Sequence, residues 1–289
     1  MTKLLAPIEG FASDAVGRLQ AVADRSWPRD SSNVWEIVND DGDHFYLKQH
    51  STARFHEREV TAYRNWTAGL GLGRAAVLLA ADAKLRSVVI TALPGQPARD
   101  LHVPQDTEIE IHRQAGMLLR RLHDAAPACS SSLSADRAVA RVEEHLKRAS
   151  GLLEPAQVRL IRYHAAQLEQ FAPLLPAVPT HGDAQARNFL WNTPNQQLAL
   201  IDFERAEVAP AVRDLVRLEY GPWDDRPDLR VSFLGGYGRI LTNQEETALR
   251  GFAATDALSG LQWGTANNDN EVTARAHRTL ERLSAEDRP

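Results

Sequence analysis

Between Thr180 and Glu204 the chain reads THGDAQARNFLWNTPNQQLALIDFE. His181, Asp183, Asn188 and Asp202 fall close together there, and each could take part in chemistry. Phe189-Leu190-Trp191 is apolar and predicts a strand. Residues 192–197 hold Pro194 and Asn195, which signal a turn. Residues 198–201 predict a second strand, with Asp202 at its exit. Such a hairpin sets one carboxylate before it, an amide at its start and a second carboxylate at its end.

Carboxylate and amide oxygens are hard ligands, and Mg²⁺ takes a few of these while keeping waters and substrate phosphates. Asn188 and Asp202 are therefore candidate ligands for Mg²⁺ on a nucleotide. Asp183 is then left to orient a hydroxyl and accept its proton. D-x-x-x-x-N followed by an Asp at a strand end is the layout of phosphoryl transfer in the kinase fold. Lysine is scarce, with Lys3, Lys48, Lys84 and Lys147 set against many arginines. One of the four lies inside the strand-like run Phe45-Tyr46-Leu47-Lys48. A compact ammonium on a flexible stem suits the α- and β-phosphates of a nucleotide.

H-G-D-A-Q-A-R-N followed by I-D-F-E resembles the aminoglycoside phosphotransferase and choline kinase superfamily, the small-molecule branch of the protein-kinase-like fold. Its pattern is H-G-D-x-x-x-x-N…I-D-[FW]-[DE]. The resemblance runs from about Ser32 to about Tyr237. It implies an α+β, two-lobed fold: a small β-rich N-lobe over 1–91 that binds nucleotide, and a larger, mostly helical C-lobe over 92–289. It implies that ATP or GTP donates the phosphoryl group, with Mg²⁺, and that His181 braces its loop. Ser31-Ser32-Asn33 stands where the superfamily has a phosphate-covering loop, without that loop's glycines. Arg58-Glu59-Val60-Thr61-Ala62-Tyr63-Arg64 matches R-E-x-x-x-[YL]-R, which makes Glu59 the partner of Lys48, with Glu57 the alternative. Thr91-Ala92-Leu93-Pro94-Gly95 resembles the hinge, where backbone groups of Thr91 and Leu93 would grip the adenine edge. Positions i and i+2 of an extended segment face the same way. Leu118 to His123 matches L-x-x-L-H, and Pro210 to Leu215 matches G-x-P-x-x-D-L, giving Asp214 a supporting role beneath the motif loop.

The chain has 289 residues and a net charge of −5, which argues against nucleic-acid binding. The acidic excess lies after Ile201. Asp224, Asp225, Asp228, Asp256, Asp269 and Glu271 there would attract a cationic acceptor. Within the superfamily that means an aminoglycoside or basic peptide antibiotic inactivated by O-phosphorylation. Trp223 and Trp263 could stack on an amine or sugar. The superfamily also phosphorylates choline, homoserine, sugars and macrolides. The alternatives are thus a metabolic kinase or a nucleotide-binding protein without turnover. No apolar run approaches the length of a membrane span. Residues 1–10 lack a signal-peptide core, and Cys129 is the single cysteine. The expectation is a cytoplasmic monomer or dimer without disulfides.

Periodicity predicts a helix from Ser13 to about 23, a hairpin over 34–38 and 44–49, and a helix over 55–66. Strands follow at 75–79 and 87–91. Helices are expected over 109–125, 136–150 and 155–175. The remainder reads as helical, with loops at 221–228 and 263–270.

Overall fold

The structure, a computed structural model, describes residues 4–26, 32–130, 135–149 and 151–287, with the backbone alone over 135–141. In chain order the elements begin with α1 (Ala6–Val16), β1 (Leu19–Asp24), β2 (Asn33–Asn39), β3 (His44–Gln49), α2 (Ala53–Asn65), β4 (Leu78–Asp82), β5 (Ser87–Thr91) and β6 (Gln96–Pro97). Next come α3 (Gln105–His123), β7 (Cys129–Ser130), α4 (Ala135–Arg148), α5 (Pro155–Phe171), β8 (Pro176–Thr180), β9 (Phe189–Asn192), β10 (Gln197–Leu200) and β11 (Glu207–Pro210). The chain ends in α6 (Val216–Glu219), α7 (Pro222–Asp225), α8 (Pro227–Tyr237), α9 (Asn243–Ala266) and α10 (Asn270–Glu286).

Backbone contacts divide the chain into two compact units. One holds the residues up to His102 together with His181–Glu207; the other holds Val103–Thr180 and the residues from Val208. The boundary expected after residue 91 therefore does not separate them: the hairpin clusters with the N-terminal sheet. The cause is long-range pairing that sequence spacing does not reveal. Leu200 N–H donates to the Arg74 carbonyl at 2.8 Å, and Arg74 Nη1 donates to the Leu198 carbonyl at 2.9 Å.

In the first unit, an antiparallel sheet runs β1-β2-β3-β5-β4. Ile37, Leu47 and Val89 from its inner strands pack with Leu4, Ile8 and Ala12. Each such large side chain gains about 1.5–3 kcal/mol from leaving water. Side chains alternate across a strand, so Lys48, next to Leu47, points to the opposite face. It sits mid-sheet, opposite Val34 of β2 and Val88 of β5. β9 and β10 form the expected hairpin, with Leu198 opposite Trp191 and Leu200 opposite Phe189.

The second unit is mostly helical. α3 lies against α8 so closely that a Cβ on Gly116 would come within 2.0 Å of the Phe233 carbonyl oxygen. Ile161 of α5, Leu258 and Leu261 of α9 and Leu280 of α10 form a second core. A small sheet runs β11-β8-β7.

Several local expectations change, and the loop expected over 221–228 holds α7 and the start of α8. Residues 19–24 form β1 rather than the end of a helix, because pairing from Leu19↔Asn39 to Asp24↔Trp35 captures them; tertiary pairing overrides local propensity. β4 runs from Leu78 to Asp82 rather than 75–79; its pairing with β5 extends to Asp82 opposite Ser87, where Asp82 Oδ1 accepts from Leu85 N–H at 2.8 Å and closes the turn. Trp263 lies inside α9, which continues to Ala266.

Candidate active site

Lys48 Nζ is the hub of the first unit's polar groups. It lies 2.6 Å from Asp202 Oδ1, 3.0 Å from Glu59 Oε2 and 3.0 Å from Glu204 Oε2. The lysine is 6% exposed and Glu59 1%. A lone buried charge costs many kcal/mol, so such groups occur together. α2 brings Glu59 in: Thr52 caps the helix by accepting from Phe55 N–H at 3.2 Å. His56, Glu59, Val60 and Tyr63 then share its buried side. Glu57, on the other side, is exposed, so Glu59 is the residue that meets the lysine.

The loop before the hairpin folds around Gly182, whose φ is +76°. A Cβ there would meet the Arg205 carbonyl oxygen at 2.1 Å, so only glycine fits. His181 Nε2 lies 3.0 Å from the Ile201 carbonyl oxygen, and its ring leans on Phe203 at 4.7 Å. Both contacts brace the loop. Asp183 is 2% exposed. Its Oδ1 accepts from Gln185 at 2.7 Å, and its Oδ2 accepts from Arg187 at 2.8 Å and from Asn188 at 3.0 Å. The same Asn188 amide nitrogen donates to the Asp183 carbonyl at 2.8 Å. That fixes the amide orientation and leaves its Oδ1 turned away as an acceptor.

Asp202 has φ +67°, a left-handed conformation rare for a side-chain-bearing residue, costing roughly 1–2 kcal/mol. Such strain persists where surrounding contacts hold it, and here Lys48 does so. Burial alone would push the Asp202 carboxyl up. The Lys48 ammonium, with Arg187 and His181 nearby, outweighs burial and holds it at about 2. Burial likewise opposes the charge on Lys48, yet Asp202, Glu59 and Glu204 together keep it well above the usual lysine range. Glu59 is lowered: burial is overcome by Lys48 and by a hydrogen bond from His50.

A cavity of about 380 Å³ opens beside this cluster, within the size of a ligand site. Lys48, Asn188, Asp202 and Glu204 form its charged end, while Val34, Ile90, Leu190 and Ile201 supply apolar walls. Ser32, Glu59, Thr91 and Leu93 line it too. Asp183 does not line it but is joined to it through Asn188. Asn33 lies exposed at the start of β2, opposite Gln49, and is not part of the cavity wall. Ser31 lies outside the described residues. Ser32 Oγ donates to Glu204 Oε2 at 3.0 Å.

Sequence reading missed four residues of this cluster. Glu204 follows Asp202 by two positions, and His50 follows Lys48 by two, so period-two spacing was the available signal. Gln185 and Arg187 precede or enter a short 3₁₀ turn, Ala186–Asn188, where no simple period applies.

In the second unit, His123 Nε2 lies 3.0 Å from Asp214 Oδ2, and its Nδ1 lies 2.8 Å from the Tyr237 hydroxyl. Asp214 thus braces α3 within that unit. The acidic residues read as an acceptor-gathering set are largely committed. Asp228 meets Arg226 at 2.7 Å, Asp224 lies 3.3 Å from Arg282, Asp256 lies 3.6 Å from Arg217, and Asp269 caps α10. Asp225 and Glu271 are exposed. Trp223 is buried against Phe233, at 4.9 Å, whereas Trp263 is 41% exposed. Among the described residues no helix is long and apolar enough to cross a membrane.

The family model described as the phosphotransferase enzyme family matches residues 26–252. No curated protein matches the chain in sequence. Among solved structures, the chain is similar to a thermostable mutant of aminoglycoside phosphotransferase APH(4)-Ia in ternary complex with ADP and hygromycin B. That match has a TM-score of 0.70 at 15% identity and covers 98% of this chain and 100% of that one. It is similar to APH(2")-IIia in complex with GDP and kanamycin, with a TM-score of 0.66 at 15% identity over 96% of this chain and 98% of that one. The macrolide 2'-phosphotransferase MphH of Brachybacterium faecium matches with a TM-score of 0.63 at 17% identity, over 96% and 97%.

Proposed function

We propose that this chain, which belongs to the phosphotransferase enzyme family and is a small-molecule phosphotransferase of the kinase type, moves the γ-phosphoryl group of Mg-ATP or Mg-GTP to a hydroxyl of a cationic antibiotic. The observation that carries the nucleotide part is the Lys48 ammonium held by Asp202, Glu59 and Glu204 at the charged end of a cavity with apolar walls. A base suits the apolar part, with backbone of Thr91 and Leu93 at its edge, and the phosphates suit Lys48 and Ser32.

The residues fit Mg²⁺. Asn188 Oδ1 is turned outward by the amide's bonds to Asp183, and Asp202 keeps Oδ2 while Oδ1 meets Lys48. The ion would be held by these two oxygens and, when bound, would supply neutralising charge to the phosphate oxygens. Lys48 holds the α- and β-phosphates while Glu59 keeps its ammonium in place. Asp183 orients the acceptor hydroxyl through Oδ1, displacing the Gln185 amide. The hydroxyl oxygen bonds to the γ-phosphorus as the bond to the β-phosphate oxygen breaks. The hydroxyl proton passes to Asp183, and ADP or GDP leaves. Catalysis is then mostly positioning and charge neutralisation.

The antibiotic acceptor rests on the complexes with hygromycin B and kanamycin among structures of similar fold, and resistance to that antibiotic would follow. The experiment is Mg-nucleotide-dependent ADP or GDP release across aminoglycosides, basic peptide antibiotics, macrolides, choline, homoserine and sugars, with Asp183→Ala as the blank. Release with one cationic antibiotic, and a mass gain of one phosphoryl group, is expected. Release with a small metabolite alone would overturn the acceptor, and nucleotide binding with silence throughout would overturn the turnover.

A further inference from the structure

We propose that His50 is a positioning residue for the phosphotransfer site: it holds Glu59 from behind, so that Lys48 can be shared with a nucleotide without losing its anchor. The inference rests on the nucleotide reading of the Lys48 cavity. His50 itself is 1% exposed and does not line that cavity.

The chain reaches this arrangement simply. His50 follows the end of β3 and stands two residues beyond Lys48, on the same side of the strand. Its backbone N–H donates to the Arg86 carbonyl at 2.9 Å, and its ring Nδ1 lies 3.0 Å from that same oxygen. A carbonyl only accepts, so Nδ1 carries a hydrogen. Arg86 adopts φ +52° in the turn between β4 and β5, a left-handed conformation that costs energy in a side-chain-bearing residue. The other ring nitrogen, Nε2, meets Glu59 Oε2. Lys48 Nζ reaches that same carboxylate oxygen at 3.0 Å. One proton therefore lies between Nε2 and Oε2, and the oxygen has two donors on opposite duties.

Those duties separate when a phosphate arrives. Lys48 is already divided among three carboxylates, and a phosphate would draw it further from Glu59. A carboxylate as buried as Glu59 is costly to leave without a donor. His50 keeps one donor on it, tied through the Arg86 carbonyl to the sheet.

The test is direct titration with Mg-ATP and Mg-GTP of the full chain and five variants: Lys48→Ala, Glu59→Gln, His50→Ala, His50→Gln and the double His50→Ala/Glu59→Gln. His50→Ala is expected to raise the nucleotide Kd about tenfold, while His50→Gln, which can still donate to Glu59, stays within about threefold of the parent. The double variant is expected to bind no worse than Glu59→Gln alone, because His50 acts through that carboxylate. An unchanged Kd in His50→Ala, or effects that multiply in the double variant, would overturn the role. Should His50→Ala fail to fold, His50→Asn, which keeps the Arg86 contact and loses the Glu59 one, enters the same cycle with the same criteria. Lys48→Ala separates the two readings. If it binds nucleotide normally, the site assignment falls and this inference with it. If it binds weakly while the His50 variants bind normally, only the role of His50 falls.

Discussion

Lys48 and His123 are each nearly buried and each meets carboxylate oxygen, but their surroundings differ. Around His123 the accounting closes: one ring nitrogen faces Asp214, the other faces Tyr237, and all three side chains are buried within the helical unit. Around Lys48 three carboxylates crowd one ammonium, and the cluster opens onto a cavity. A closed network stabilises the fold. An open one, with more negative than positive groups, leaves room for a ligand and a cation to complete it. Burial of polar groups alone therefore does not mark a site; burial beside a cavity with charge left over does.

That contrast breaks first at the motif carboxylates. Asp183→Ala and Asp202→Ala should each lower turnover at least about a hundredfold, from loss of positioned acid–base or metal function, with far-UV spectra unchanged. Near-parent rates in a folded Asp183→Ala protein would sink the assignment of that carboxylate. At the closed cluster the outcome should invert. Asp214→Ala leaves His123 without its carboxylate and should cost roughly 3 kcal/mol of stability, seen as a melting point lower by about 10 °C. The protein that remains folded should turn over at near the parent rate. A large loss of rate at an unchanged melting point would show that this cluster too serves chemistry.

How much of this was legible depended on the range of the interaction. The hairpin 189–200 was legible because apolar strands and a Pro-Asn turn are local signals, and its actual pairing, Phe189↔Leu200 through Asn192↔Gln197, falls where they put it. Lys48 stood out because lysine is rare in this chain, and Glu59 because Arg58 to Arg64 matches the superfamily pattern R-E-x-x-x-[YL]-R. What sequence could not show was closure in space. Glu204 completes the lysine's surroundings, and Arg74 ties the hairpin to the N-terminal unit; these contacts join residues far apart in the chain. Asn33 was read from its place beside Ser32, but the pairing of β2 with Gln49 sends it away from the cavity wall. Of the acidic residues after Ile201, Asp224, Asp228 and Asp256 already meet arginines and Asp269 caps a helix, engagements that net charge does not register.

The smallest effect that still tests the contrast is the acid dependence of stability. Asp202 titrates at about 2 in the folded protein, below the ordinary aspartate value of 3.8, because attraction to Lys48 outweighs burial. A folded-state value below the unfolded one means the unfolded chain binds the proton first as pH drops. The contribution of Asp202 is therefore fully present above about pH 4 and is lost as pH falls towards 2. Glu59 is lowered for the same cause and adds in the same direction. Asp202→Asn removes one such group, so its melting point should sit below the parent's at pH 7 yet fall less between pH 5 and pH 2.5, by about 2–5 °C. Melting curves at a series of pH values measure this difference in slope directly. Parallel profiles for the two proteins would mean that Lys48 does not hold the Asp202 carboxylate ionised, and the open cluster would lose the charge imbalance that sets it apart from the closed one.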